Sequence, residues 1–416
     1  MSTLNDAKLT LIPSGYKSTK VYSVKPTNGD GDFTFARTGE ATRVNQGGNI
    51  ETVATNVPRI DHFGGGCPSL LLEDASTNQL TRSSDFDNWS KVNITVASDS
   101  LISPSGELDA DTLTRNSTSA SYLSKSFAKT SASQLDMTMS VFVKENVGDY
   151  FAMRAQGFYP ARADIIFQFS TKTFTTSVSG SNFSLDSTKY EDYGNGWYRL
   201  SAKFNTDSFT TMACLFSPRS SSGQVDATDS ASDSSVYLWG AQCEYDDLSS
   251  FIPTTTAAVT RNAETCSDSG NSNVFNDSEG VLYAEIKPLS DNLLSNQRSI
   301  QLEGLNGSSD NEIIIQYLNN TLRFLLYGNS VLQLQRQETV ALNSYTKVAL
   351  LYKNDAFKVY INGTERYTVS GSYTMPIGLN KINFYRSGVS NFYGKCKDLR
   401  YYDSALTDQQ LIELTT

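Results

Sequence analysis

The sequence holds one histidine, His62, in 416 residues. A Ser-His-Asp or Cys-His arrangement could draw on this residue alone. It stands in Asp61-His62-Phe63-Gly64-Gly65-Gly66 with no nucleophile motif beside it, so a structural or solvated role is expected. Metal sites built from several histidines are excluded. The glycine run is not a phosphate loop, because no Gly-Lys-Ser/Thr follows and no helix is expected there. The cysteines are Cys67, Cys214, Cys243, Cys266 and Cys396, an odd number without a Cys-x-x-Cys pair. Neither a disulfide framework nor a zinc site is expected. Cys243 with Cys266 is a candidate single bridge, against the favoured reading of buried free thiols in a chain made in a reducing cytoplasm. No apolar run approaches the ~18 residues of a membrane span. The first residues lack a basic stretch followed by an apolar one, so no secretory signal is expected. There is no cluster of Lys and Arg; the net charge is −10, which disfavours a nucleic-acid partner. Neither long heptads nor a Gly-x-y repeat is present, which excludes a fibrous shaft.

The chain is instead polar without being highly charged. Charged residues make up 19%, and 22 Tyr and 21 Phe accompany many Ser, Thr, Asn and Gly. Aromatic and β-branched residues suit half-buried sheets, and small polar ones suit turns. The length suggests roughly two or three domains. The expected fold class is all-β: tandem antiparallel β-sandwich (jelly-roll) domains behind an extended N-terminal attachment segment.

Residues 1–60 read as a Gly-punctuated leader of short hairpins, with Asn28-Gly29-Asp30-Gly31 a strong turn. Residues 61–265 read as one large sandwich. In it Met137, Met139, Val141 and Val143 alternate with mostly polar residues, the period of a strand with one buried face. Tyr198, Leu200, Ala202 and Phe204 do the same, and Val236 to Gly240 is apolar on both faces, as in a central strand. Residues 266–279, with the small polar stretch from Asn262, read as an exposed linker. Residues 280–416 read as a smaller β unit. Leu282, Ala284 and Ile286 alternate there, as do Ile313, Ile315 and Tyr317, and Leu322, Phe324 and Leu326. Asn362-Gly363 after an alternating strand is a hairpin turn. Thr407 with Gln410 predicts a capping box on a final helix docked by Leu411 and Leu414.

Chemistry is sparse. The carboxylate candidates are Glu244 near Asp246, and Glu191-Asp192, since glycosidases use two facing carboxylates. All sit at strand ends, where acidic side chains are ordinarily solvated, so no catalytic residue is assigned and no enzyme is expected. The loop from Asp226 through Asp229 to Asp233 is rich in oxygen and is a candidate calcium site; its other reading is a solvated loop. No other cofactor is expected. Tyr373, Tyr385 and Arg386 near loop tips could stack on sugar faces. Trp89, Trp197 and Trp239 lie in or beside strands and read as core.

Two stretches carry a resemblance. One comprises Asp32-Phe33-Thr34-Phe35-Ala36-Arg37, Thr42-Arg43-Val44-Asn45, Pro58-Arg59-Ile60-Asp61, Leu70-Leu71-Leu72-Glu73 with Thr77-Asn78, and Asp85-Phe86-Asp87-Asn88-Trp89. It is completed by Trp239-Gly240-Ala241-Gln242-Cys243-Glu244, Phe251-Ile252-Pro253-Thr254 and Val259-Thr260-Arg261. It resembles a segment common in bacteriophage virion proteins, bracketing a carbohydrate-binding-module-like jelly roll. The other comprises Lys347-Val348-Ala349-Leu350, Val359-Tyr360-Ile361-Asn362-Gly363, Phe392-Tyr393-Gly394, Leu399-Arg400-Tyr401-Tyr402 and Ala405 to Leu411. It resembles concanavalin A-like, laminin-G-type domains. These residues are framework and carry over no sugar or calcium site. The resemblance implies a tail fibre, adhesin or head fibre of a virion, held to other virion proteins through its N-terminal segment and touching host surface glycans. It also implies a homo-oligomer, such appendages often being trimers. The alternatives are a purely structural decoration or connector protein and a polysaccharide-degrading enzyme.

Overall fold

The computed structural model describes residues 3–289, 297–306, 310–386 and 390–416. The chain folds as two units. The first takes residues 1–43, 53–75 and 262–416; the second takes 44–52 and 76–261. Both are built of antiparallel strands. No helix among the described residues is long and apolar enough to cross a membrane.

The second unit is a sandwich of two six-stranded sheets. Met137, Met139, Val141 and Val143 face a core shared with Leu200, Ala202, Phe204 and Phe216, as the alternation predicts. Strand Asp136–Val147 departs from expectation in one respect. Thr138, Ser140 and Phe142 on its other face are buried as well. There Phe142 packs against Trp239, Tyr193 and Phe251, and Arg199 donates to Ser140 Oγ at 3.0 Å. Strand Ser235–Tyr245 is central, between Leu108–Arg115 and Asp136–Val147. All three tryptophans are buried, and each indole N–H donates: Trp89 to Arg82 O, Trp197 to Ile102 O, Trp239 to Asp109 Oδ2.

The first unit stacks an eight-stranded sheet on a five-stranded one. Leu282, Ala284, Ile286, Ile313, Ile315, Tyr317, Leu322, Phe324 and Leu326 meet in its core. Asn362 and Gly363 both have positive φ, 48° and 75°, as the two-residue hairpin demands. The C-terminal helix Asp408–Thr415 carries the predicted capping box. Its Leu411 and Leu414 cover Tyr283, Ala349, Leu351 and Tyr360 on the outer face of the eight-stranded sheet.

The division of the chain differs from the expected boundaries at 60, 265 and 279. Most of the leader is part of the first unit, where Leu9–Leu11 pairs with Leu399–Tyr401, while residues 44–52 belong to the second; residues 61–75, expected in the sandwich, also join the first, where Ser69–Leu72 pairs with Gly394–Cys396. The stretch read as a linker is also inside it, since Thr265–Ser267 pairs with Thr34–Ala36. Charge explains the misreading. Arg37 and Arg59 are fully buried and both bind Glu264, at 2.7 Å (Arg37 Nη1) and 2.8 Å (Arg59 Nε). Arg59 also reaches Glu73 at 2.6 Å. Glu264 looks like solvated linker, yet it is the counter-ion of two buried arginines contributed by the supposed leader.

Candidate functional site

The two sheets of the first unit differ in what their outer faces carry. The eight-stranded sheet carries an apolar patch there, which the helix covers. The five-stranded sheet, from Lys381–Asn383 through Arg298–Glu303, Glu312–Leu318 and Thr321–Gly328 to Val331–Thr339, is polar. Period-2 geometry sends Ile300, Leu302, Ile313 and Ile315 inward, so Ser299, Gln301, Glu303, Glu312 and Gln316 point the other way. Ile314 and Leu325 interrupt the polar rows at the centre of the sheet, and Leu318 and Leu332 do so toward its edge. Register places Glu303 opposite Glu312, and Gln301 opposite Asn383.

Hydrogen bonds knit this face together. Gln301 Nε2 donates to Glu312 Oε2 at 2.8 Å, and Arg386 Nε donates to the other oxygen at 3.0 Å. The same guanidinium lies over the Tyr327 ring at 5.1 Å. Asn383 Nδ2 donates to Glu303 Oε2 at 2.7 Å, while Lys381 stands 3.7 Å from Oε1. Gln316 donates to Ser299 Oγ at 2.8 Å and Arg323 reaches Gln335 at 2.7 Å. Gln301, Glu312 and Asn383 are fully buried; Lys381, Tyr327 and Arg386 form a partly exposed rim. Gln301 Oε1 is buried and accepts no hydrogen bond. Burial pushes the Glu303 carboxyl up from its ordinary range, against the pull of Lys381. The centre of the face is therefore a buried hydrogen-bonded network with one acceptor unfilled, and its accessible polar groups are those of the rim, Lys381, Tyr327 and Arg386.

Two of the three aromatic-tip candidates fall on this rim. Arg386 is bound to Glu312, and Tyr385 feels the charges of Asp268, Lys381 and Glu303, burial being the largest influence on its hydroxyl. Tyr373 does not join them. It packs on the apolar core, and its N–H donates to Asn354 O at 3.1 Å. The four central residues, Gln301, Glu303, Glu312 and Asn383, were missed in the sequence. Their signal was present: polar residues alternating with Ile and Leu in strands that are not at the surface.

The calcium candidates are not brought together. Asp226 takes a two-point bond from Arg154, at 2.7 Å to each oxygen, which holds its carboxyl below the ordinary range. Burial would raise the Asp229 carboxyl, but bonds from Ser221 and Ser220 and the nearby Arg219 hold it low. Asp233 is exposed. Arginine charge already answers the first two carboxylates. Among the described residues no cluster of His, Cys, Asp and Glu is fit to hold a metal ion.

The acidic pairs are structural as placed. Glu244 is buried and accepts from Ser249 Oγ at 2.6 Å, Ser76 Oγ at 2.5 Å and Gln242 at 2.7 Å; burial raises its carboxyl. Gln242 Oε1 in turn accepts from Ile252 N at 2.7 Å. Glu191 pairs with Lys189 at 2.9 Å, Asp192 caps a turn by accepting from Gly194 N, and Asp246 sits at a φ of 60°. The motif from Trp239 to Glu244 thus locks a strand to the segment that follows it. All five cysteines are free thiols; the neighbour of Cys243 is Cys214, not Cys266.

Residues 267–412 match the model of the concanavalin A-like lectin/glucanases superfamily. No curated protein matches the sequence. Among solved structures, the chain is similar to the CBM40 of the Ruminococcus gnavus IT-sialidase bound to α2,3-sialyllactose. Identity is 18%, coverage 36% of this chain and 92% of that one, with a TM-score of 0.30. Domain 4 of the arabinanase AbnA from Geobacillus stearothermophilus, in complex with arabinotriose, is 20% identical over 37% of this chain and 73% of that one (TM-score 0.26). The LG4-5 domains of the mouse laminin α1 chain are 9% identical over 68% and 86% (TM-score 0.25). These are distant likenesses in fold.

Proposed function

We propose that the chain is a saccharide-binding display protein of a bacteriophage particle, and that the polar face of the five-stranded sheet binds the saccharide. The observation that supports it is the polar network of this face, in which Gln301 and Arg386 donate to Glu312 and Asn383 donates to Glu303, bordered by the partly exposed Lys381, Tyr327 and Arg386. The hydroxyls of a saccharide would meet the rim donors and acceptors of Lys381, Tyr327 and Arg386, which the buried network behind them holds in place. The match of residues 267–412 to a lectin and glucanase superfamily fits this reading. Placement on a phage particle rests on the sequence resemblance described above, with host surface glycans as the ligand and assembly as a homo-oligomer. A glycan array probed with the full chain tests the binding. Wild-type protein should bind a defined set of glycans, and Gln301→Ala and Arg386→Ala should weaken it. Absence of binding to any saccharide would leave the decoration or connector role. Labelling of purified phage particles with antibody to the chain tests the location.

One observation favours a second reading. Glu303 and Glu312 stand directly opposite on adjacent strands, and burial raises one of them, the disposition of an acid beside a charged partner. Release of reducing sugar from host polysaccharide, abolished in Glu303→Gln, would establish a hydrolase.

A further inference from the structure

We propose that the second unit carries a separate saccharide site at the loop tip formed by Phe158, Tyr159 and Phe209, and that it takes the apolar face of an uncharged pyranose. The proposal rests on the reading of the chain as saccharide-binding, but on a different unit and different residues.

Phe158 and Tyr159 are the most exposed large apolar side chains among the described residues, at 62% and 63%, and Phe209 is at 44%. They are not scattered. Phe158 and Phe209 are in ring contact, centroids 4.7 Å apart and tilted by 39°. Neither ring belongs to the core of the unit. Aromatic clusters left in water mark binding surfaces more often than single exposed residues do.

The tip is braced before any ligand arrives. The Asp207 carboxylate accepts from the backbone of both loops, from Phe158 N at 2.8 Å and Phe209 N at 3.1 Å. Gly157 is required for this. A Cβ there would lie 2.4 Å from Asp207 Oδ2. Lys129 anchors the second loop through Thr206 Oγ1 at 2.9 Å and the Asp207 carbonyl. Ala161 N to Phe158 O, at 2.8 Å, closes the first. Rings held in place lose little freedom on binding, which favours affinity from a small contact.

Charge selects the ligand class. Arg162 lies over the Tyr159 ring at 5.2 Å, but its Nε donates to Asp164 at 3.0 Å and its Nη1 to the Pro160 carbonyl. Asp164 is shared with Arg154, which also pairs with Asp226. Lys129 is committed to Thr206, Ser133 and Asp207. Arg162 and Arg154 are thus paired with carboxylates, and Lys129 is turned into its own loop. The exposed groups that form the tip are rings, not charges, which suits the C–H face of a neutral hexose better than a carboxylated or sulfated sugar.

The test uses the full chain and saturation-transfer NMR with neutral α- and β-linked glucan oligosaccharides and a polyuronate of equal length. The neutral glucans should bind, with ring C–H protons most saturated, equally at low and high salt. Phe158→Ala and Phe209→Ala should each weaken that binding about tenfold, roughly the worth of one ring contact. Both positions are exposed, so the melting temperature should not move. The inference is overturned if neutral glucans do not bind, if the polyuronate binds better, or if the ring variants bind as wild type. It is equally overturned if the rings drive pelleting with phosphatidylcholine vesicles, or if Phe209→Ala abolishes a concentration-dependent dimer. Loss of binding in Gln301→Ala with the ring variants silent would overturn this site and leave the sheet face standing; the converse would do the reverse.

Discussion

Arg59 shows how a residue that looks like a surface feature becomes a scaffold. It is buried, and its guanidinium binds Glu264 and Glu73 as well as the Thr42 carbonyl. Replacing it with alanine strands the buried Glu73 and leaves Glu264 with Arg37 alone, so the first unit should lose about 3–5 kcal/mol in urea unfolding. Arg37 and Arg59 were legible as motif residues, but Glu264 was not. It lies 227 and 205 residues away from them in sequence, in a stretch whose composition matches a linker. Asp111 of the second unit makes a prediction of opposite kind. Burial, with the nearby Asp99 and Asp85 charges, pushes its carboxyl up to about 6, although Phe86 N and Asp99 N donate to it. A carboxyl raised in the folded state binds its proton more tightly there than in the unfolded chain. Its contribution to stability therefore grows as pH falls from about 7 toward about 4 and fades above 6. Melting temperatures across that range should show the rise in wild type, and Asp111→Asn should flatten it.

At the scale of elements, period and capping were the readable signals. The inward rows of the first unit fell where alternation put them, and Thr407 caps the helix as the spacing with Gln410 required. Thr407→Ala should cost about 1 kcal/mol, because one N-terminal N–H loses its acceptor. Leu411→Ala should cost about 2–5 kcal/mol, since that side chain is fully buried against the eight-stranded sheet. Thermal unfolding of the two variants would separate a surface cap from a packing contact. What the pattern could not give was the outer face of a sheet. Alternation states that Gln301 and Glu312 leave the core; it does not state whether water or other side chains receive them. For the same reason strand Asp136–Val147 read as half-buried, although Phe142 and Ser140 are covered on the far side. The aromatic tip escaped for a related reason. Gly157-Phe158-Tyr159 and Phe209 lie in two separate turns, joined by the Asp207 carboxylate and the contact of the Phe158 and Phe209 rings.

At the scale of the whole molecule, the chain enters and leaves the second unit twice, so sequence order is a poor guide to which unit a segment stabilises. The N-terminal segment is the sharpest case. Strand Leu9–Leu11 lies along Leu399–Tyr401, and both leucines are fully buried in the core of the first unit. The same strand, Gly394–Tyr402, is paired along its length on the other side with Glu279–Pro288. Deleting residues 1–12 would empty two leucine sites and leave the backbone of 399–401 unpaired on one edge. These residues belong to the first unit. The expected outcome is selective: hydrogen exchange should accelerate in strand Gly394–Tyr402 and stay unchanged in strand Asp136–Val147. Calorimetry should lower the transition of the first unit alone. A segment that served only to attach the protein to a partner would leave both strands protected and both transitions in place.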